Sequence, residues 1–446
     1  MTTPNETESA PRSVTDLAAA YLVITWIIAV VEIPPIPISP TVYAPFLLVL
    51  AADRAMLRGW RRATTQHALW WVLGFLALRA GLEIATGPFE GANHVAAARI
   101  IAALVAVAGL AAYGASHPRR WRRLLAFALV AVTASLLWLL LELAVGPPFV
   151  EWRVRLYADI YEQQTSFTLD ALRSGLAPFG HLLGYQITLL LPVAAIATAT
   201  AGTLARRLTG AVALLIAILA LGASLQRSAL LASAIALSCI WFVAPIARRR
   251  LVLTFAAVGF AAAGATAVAV SQNDTLKALT EASLTAKLRS EEGKRDSNFR
   301  MRLQGRAVQV IAQHPLGLRV AGLDWAETGF MHVYRTSREV PADYEMPFAA
   351  HNAYLSDGVS LGIGALLAAL ATVGVLIANA WRQLRAPLPS TIAMPARVVA
   401  GVLIGLLTGQ ALTHNAGIPT SEPVTMVCCA LLIAAATYQR LSIPRS

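Results

Sequence analysis

Apolar residues run along this chain in long unbroken blocks, without the alternation of half-buried strands or heptad stripes. A block of about 18 or more apolar residues is long enough to cross a hydrocarbon layer as a helix. The pattern predicts spans at 17–37, 41–57, 66–85, 96–114, 123–144, 182–204, 207–223, 228–247, 251–270, 352–380, 396–414 and 424–440. The first two are divided by the proline-rich run Pro34 to Pro40, so one broken or re-entrant unit is an alternative there. The expected fold is an all-α polytopic membrane bundle of about 12 transmembrane helices, one domain over 1–446.

Two connections are long, at 145–181 and 271–351. The second is too long for a passive link and carries its own polar patterning. Ser271 to Leu288 reads as a short polar helix. Arg300 to Gln313 reads as an amphipathic helix, with Met301, Val308, Val310 and Ile311 apolar and Arg302, Arg306 and Gln309 polar. Pro315 and Gly317 end it. The whole segment is expected to cap the bundle, with His351 and Asn352 opening the next span.

Composition strengthens this reading. Hydrophobic residues make up 57% and charged residues 13%, against about 25% charged in soluble domains. The net charge of +12 first points to nucleic acid, but the arginines exclude that partner by where they lie. They cluster in every second connection: Arg54 to Arg62, Arg119 to Arg123, Arg206 and Arg207, Arg248 to Arg250, Arg382 and Arg385, then Arg440 and Arg445. Basic connections stay in the cytoplasm, so both termini are expected there. The two long connections then face the periplasm or the cell exterior; long segments translocate largely regardless of charge. Cys239, Cys428 and Cys429 all fall in apolar blocks and read as small core residues. The first sixteen residues are polar and lack a cleavage pattern, so the first span is expected to direct insertion.

A few polar residues stand out against this background. Arg227 occupies the short turn Ser224-Leu225-Gln226-Arg227-Ser228 at the outer face, against the positive-inside bias. It reads either as a helix-end anchor or as an anion contact, since a guanidinium binds phosphate oxygens in pairs. Arg300 and Arg302, with Arg306 a turn later, make the outer helix basic, which suits lipid headgroups or a charged substrate. His351 reads as an interfacial hydrogen-bonding residue or as a proton acceptor. Asn352 and Tyr354 beside it are candidates to orient a sugar or the imidazole. His181 and Arg153 on the outer side are further binding candidates. Arg79 and Glu83 should pair if buried, and Asp357, inside a span, needs a partner. No Gly-rich phosphate loop, His-Glu-x-x-His sequence or outer aspartate cluster is present, so no metal ligands are assigned and arginines must offset any phosphate charge.

Three features in order carry a resemblance. They are Leu225-Gln226-Arg227-Ser228-Ala229-Leu230 between two spans, Arg300 ahead of His314-Pro315-Leu316-Gly317, and His351-Asn352-Ala353-Tyr354-Leu355 followed by Gly362-Ile363-Gly364. Together they resemble the O-antigen ligase and polymerase superfamily of bacterial envelope glycosyltransferases. The resemblance implies a GT-C-type membrane enzyme acting at the periplasmic face. Its donor would be a glycan on undecaprenyl diphosphate, with no cofactor. The acceptor would be a lipid A-core hydroxyl in a ligase, or another lipid-linked repeat unit in a polymerase. Arg227, Arg300 and His351 fall on the family's two arginines and histidine. Gln304 stands where an aromatic residue is usual, and His181-Leu182-Leu183-Gly184 where many members are Asn-rich. A flippase or secondary transporter is the alternative of a different class, although no internal repeat supports it.

Overall fold

A computed structural model describes residues 14–28, 32–33, 36–37, 53–86, 92–145, 180–224, 226–243, 248–272, 291–323, 326–330, 332–333, 352–410 and 422–439 of the chain. These residues are helical apart from turns and a two-residue antiparallel ladder, β1 (Glu32–Ile33) with β2 (Ile36–Pro37). The helices are α1 (Val14–Ile28), α2 (Arg54–Ala63), α3 (His67–Thr86), α4 (Ala92–Ser116), α5 (Pro118–Val145), α6 (Gly180–Thr200), α7 (Leu204–Ser224) and α8 (Arg227–Val243). They continue as α9 (Arg248–Gln272), α10 (Glu291–Gln313), α11 (Leu318–Ala321), α12 (Ala353–Leu361), α13 (Ile363–Arg385), α14 (Ser390–Gln410) and α15 (Pro423–Gln439). Among the described residues, 6 helices are long and apolar enough to cross a membrane, and α1, α15 and parts of α4 and α8 form shorter apolar helices. The chain is a multi-pass membrane protein.

Two expected spans differ from what folds, and the described end of a third belongs to a short amphipathic helix. The span at 17–37 stops as a helix at Ile28, before the ladder and its prolines, which lack the N–H that a helix interior needs. Most of the span at 41–57 lies outside the described residues, and its last positions belong to α2. That helix is amphipathic: Met56, Gly59 and Ala63 are buried, while Arg54, Arg58 and Arg61 are exposed. A Cβ on Gly59 would stand 2.0 Å from the Ala112 carbonyl oxygen, so only glycine lets α2 lie this close to α4. The span at 352–380 is two helices, broken at Gly362.

The core is organised around α15. From Val424 to Ala435 every residue is buried, the signature of a helix apolar on all sides and surrounded by others. Side chains from neighbours reach its backbone. The Trp121 indole donates to the Leu431 carbonyl at 2.8 Å, and the Tyr438 hydroxyl donates out to Gly114 at 2.6 Å. Such bonds satisfy polar groups where no water reaches. Cys428 and Cys429 are fully buried within it, as small core residues.

The basic end of the bundle is closed by paired charges. Arg123 pairs with Asp16, and Arg120 with Asp53 at 2.7 Å. The Tyr113 hydroxyl donates to Asp16 at 2.5 Å, and Asp53 caps α2 by accepting from the Ala55 N–H. The starts of α1, α2 and α5 and the end of α4 are thereby tied at one end.

Candidate functional site

At the opposite end sits the cap. Phe299, Leu303, Ala307, Val310 and Ile311 form one stripe of α10, at the spacing that puts residues on one helical face. They close with Leu318, Phe330 and Val359 into a buried cluster separate from the main core. The helix starts at Glu291, nine residues before Arg300, and its buried face agrees with the expected one only at Val310 and Ile311. Met301 and Val308 are 63% and 56% exposed. Phe299, one residue before the expected helix, supplies the missing anchor. The expected helix at 271–288 lies almost wholly outside the described residues.

The cap is seated on the bundle by two glycines. Gly317 follows α10 with φ 91°, and Gly362 breaks the span with φ 92°. A Cβ on Gly317 would lie 2.6 Å from the Gly362 nitrogen, and one on Gly362 would lie 2.6 Å from Pro315 O. The Ile363 N–H donates to that same Pro315 carbonyl at 2.9 Å. The His314–Gly317 and Gly362–Gly364 motifs, separate in sequence, are thus in direct contact.

Asn352 and Tyr354 hold α12 in place. The Asn352 Oδ1 accepts from the Tyr354 and Leu355 N–H groups at 3.0 and 3.1 Å, capping the helix. Tyr354 is buried, and its hydroxyl donates to the Leu407 carbonyl of α14 at 2.7 Å. The Asn352 Oδ1 and the Tyr354 hydroxyl, on side chains expected to orient a sugar or the imidazole, bind backbone groups here. Arg306 is committed likewise: its Nε donates to Thr328 O at 2.6 Å and its Nη1 to Gln309 at 3.0 Å.

Three helix starts gather at this end. The last turns of α14 carry Leu407, which holds Tyr354 at the start of α12, and Gly409, whose Cβ would meet Ser228 O of α8 at 3.9 Å. A Cβ on Gly184 of α6 would touch Ala229 at 3.5 Å and Gln226 at 3.8 Å. The first turns of α6, α8 and α12 therefore cluster around one end of α14. Helix N-termini present partial positive charge and free N–H groups, a setting that favours phosphate. Arg227 is the first residue of α8 and His181 the second of α6. Their side chains, and His351 and Arg153 entirely, lie outside the described residues. Arg300 is half-buried beside Phe299 on the cap helix, and Arg302 is exposed.

Two contributors were not singled out in sequence. Gly401, Gly405 and Gly409 recur every fourth residue on α14, and a Cβ on Gly405 would stand 2.2 Å from Ala232 O of α8. Small residues at that spacing let membrane helices approach closely, so the stripe was legible. Arg319 had no such signal. It pairs with Glu83, which also binds Arg79 at 2.8 Å, and Arg79 pairs with Asp357. A lateral groove of about 320 Å³ between α3 and α13 is lined largely by Trp70, Trp71, Phe75 and Leu78.

Residues 212–370, from α7 into α13, match the Wzy_C family, described as O-antigen ligase. This segment is an O-antigen ligase superfamily domain. No curated protein matches the chain. The matched segment contains Arg227, the cap and α12, and so spans all three sequence motifs. The helices that brace it, α3, α6 and α14, lie outside the matched segment.

Proposed function

We propose that the protein is an O-antigen ligase of the bacterial inner membrane, a GT-C-type bundle of about 12 spans with both termini cytoplasmic. It transfers a glycan from undecaprenyl diphosphate to a sugar hydroxyl of lipid A-core at the periplasmic face. The observation that supports this reading is the family match over a segment whose second and third motifs touch at the capped end of the bundle.

The donor brings its own activation in the sugar–diphosphate bond, so the protein must place an acceptor hydroxyl and stabilise a departing diphosphate. Arg227 and Arg300, assisted by Arg302, hold the diphosphate oxygens and offset the charge that grows as the bond breaks. The starts of α6 and α8 add to the same positive field. His351 accepts the proton of the acceptor hydroxyl, or orients that hydroxyl, as its oxygen attacks the anomeric carbon. A new glycosidic C–O bond forms, the C–O bond to diphosphate breaks, and the anomeric centre inverts. Neither ATP nor a metal is assigned a step. The polyprenyl tail lies laterally among lipid-facing helices, and the groove between α3 and α13 is an apolar surface suited to part of it.

Lipopolysaccharide profiles of cells carrying only variant protein test this. Arg227→Ala and Arg300→Ala should leave lipid A-core unsubstituted while long lipid-linked polymer accumulates, at normal protein levels. Single repeat units on the core would instead identify a polymerase. Full substitution by Arg300→Ala would discard the diphosphate clamp.

A further inference from the structure

Four charged side chains far apart in sequence meet where the cap joins the bundle. Arg79 and Glu83 lie on the outer half of α3, Arg319 on α11 of the cap, and Asp357 on α12. Glu83 accepts from Arg79 on one oxygen and from Arg319 on the other, and Arg79 reaches on to Asp357. Glu83 and Asp357 are 2% and 4% exposed, so both carboxylates are removed from water. The charges cancel as two guanidinium and two carboxylate groups. Asp357 Oδ2 and Arg79 Nε have no hydrogen-bond partner among the described residues.

An incompletely satisfied buried network is a poor source of net stability, because desolvating four ions offsets their attraction. What it supplies is direction, since fixed guanidinium forks accept few orientations of a carboxylate. Its members belong to three elements, and α10, α11 and α12 already cohere through the Phe299–Val359 cluster. The network is the charged link between that unit and α3.

We propose that Arg79, Glu83, Arg319 and Asp357 form a latch that sets the orientation of the α10–α12 unit on the bundle, and that they are positioning residues for transfer. The unit carries Arg300 and is entered from His351, whereas Arg227 belongs to the bundle on α8. A shift of the unit changes the geometry between those groups without touching any of them. The positioning role rests on the glycosyl-transfer reading; the latch itself does not.

The test uses full-length protein in lipid nanodiscs, with Arg319→Gln, Arg319→Lys and Asp357→Asn compared by hydrogen exchange and by transfer from a lipid-linked glycan to lipid A-core. Arg319→Gln and Asp357→Asn should speed amide exchange at 318–323 and 353–361 while α8 and α14 stay unchanged, and should lower turnover about tenfold or more. Arg319→Lys, which keeps the charge but loses the planar fork, should also speed exchange at 318–323 and lower turnover, by less than Arg319→Gln in both readouts. Exchange that stays unchanged in both charge-removing variants overturns the latch, as does faster exchange throughout the bundle. Faster cap exchange with turnover held within about twofold overturns the positioning role. If the parent protein transfers no glycan, the glycosyl-transfer reading fails, and the exchange data alone still decide the latch.

Discussion

At the scale of single residues, backbone geometry is more demanding than any side chain at this site. Gly317 and Gly362 sit back to back at positive φ, with each would-be Cβ 2.6 Å from the other's backbone neighbourhood. Residues other than glycine pay about 1–3 kcal/mol for such conformations, before any clash. Gly362→Ala should therefore lower the melting temperature in detergent and expose the cap to limited proteolysis. Normal melting and normal protease resistance would show that the two motifs can separate harmlessly. Sequence alone could single out Arg79, Glu83 and Asp357, because charge inside apolar blocks demands a partner. It had no means of finding Arg319, an ordinary arginine in a polar connection, whose partner Glu83 stands on another helix. Nor could it tell that Tyr354 and Arg306 are engaged with Leu407 and Thr328, since both contacts are to backbone carbonyls remote in sequence.

Among elements, most long helices were legible because an apolar block of fixed length has one meaning in a membrane. The elements misread are those where composition is mixed. The sequence pattern assigns 54–57 to a span and begins the cap helix at Arg300, which leaves Phe299 outside its buried face. Phe299 is 3% exposed within the cap cluster. Phe299→Ala should cost about 3–5 kcal/mol of local stability and loosen α10 from α12. Faster hydrogen exchange over 299–313, with α15 unaffected, is the expected readout. The α8–α14 contact makes the opposite demand, for less volume. Gly405→Leu places a side chain where even a Cβ lies 2.2 Å from Ala232 O. It should force α8 from α14, displace the helix start that bears Arg227, and abolish transfer even if the protein still inserts. Retained activity would mean that α14 does not locate Arg227.

The whole molecule is polar along its axis. Buried Asp16 and partly buried Asp53 pair with arginines at one end, and the cap docks at the other. A cysteine introduced at exposed Arg302 should react with an impermeant maleimide in intact spheroplasts, and one at Arg61 only after permeabilisation. The reverse pattern would invert the orientation. Acid–base behaviour at the cap end is also testable. Burial pushes the Glu422 carboxyl up to about 7 from 4.5, against hydrogen bonds from the Val424 and Thr425 N–H groups and the Thr425 hydroxyl. The folded state therefore holds a proton that the unfolded chain releases. The associated stability is full below about 4.5 and lost as pH rises through about 7. Melting temperature should fall between pH 5 and pH 8 by about a few degrees, and Glu422→Gln should flatten that slope.

The most direct measurement is transfer by purified protein in liposomes, from undecaprenyl diphosphate-linked glycan to purified lipid A-core, without ATP and with chelator present. Parent protein should form the glycosylated product and release undecaprenyl diphosphate, while Arg227→Ala and Arg300→Ala, inserted to the same level, form none. Product formed equally by the arginine variants, or by the parent only when a metal or ATP is supplied, would contradict the account.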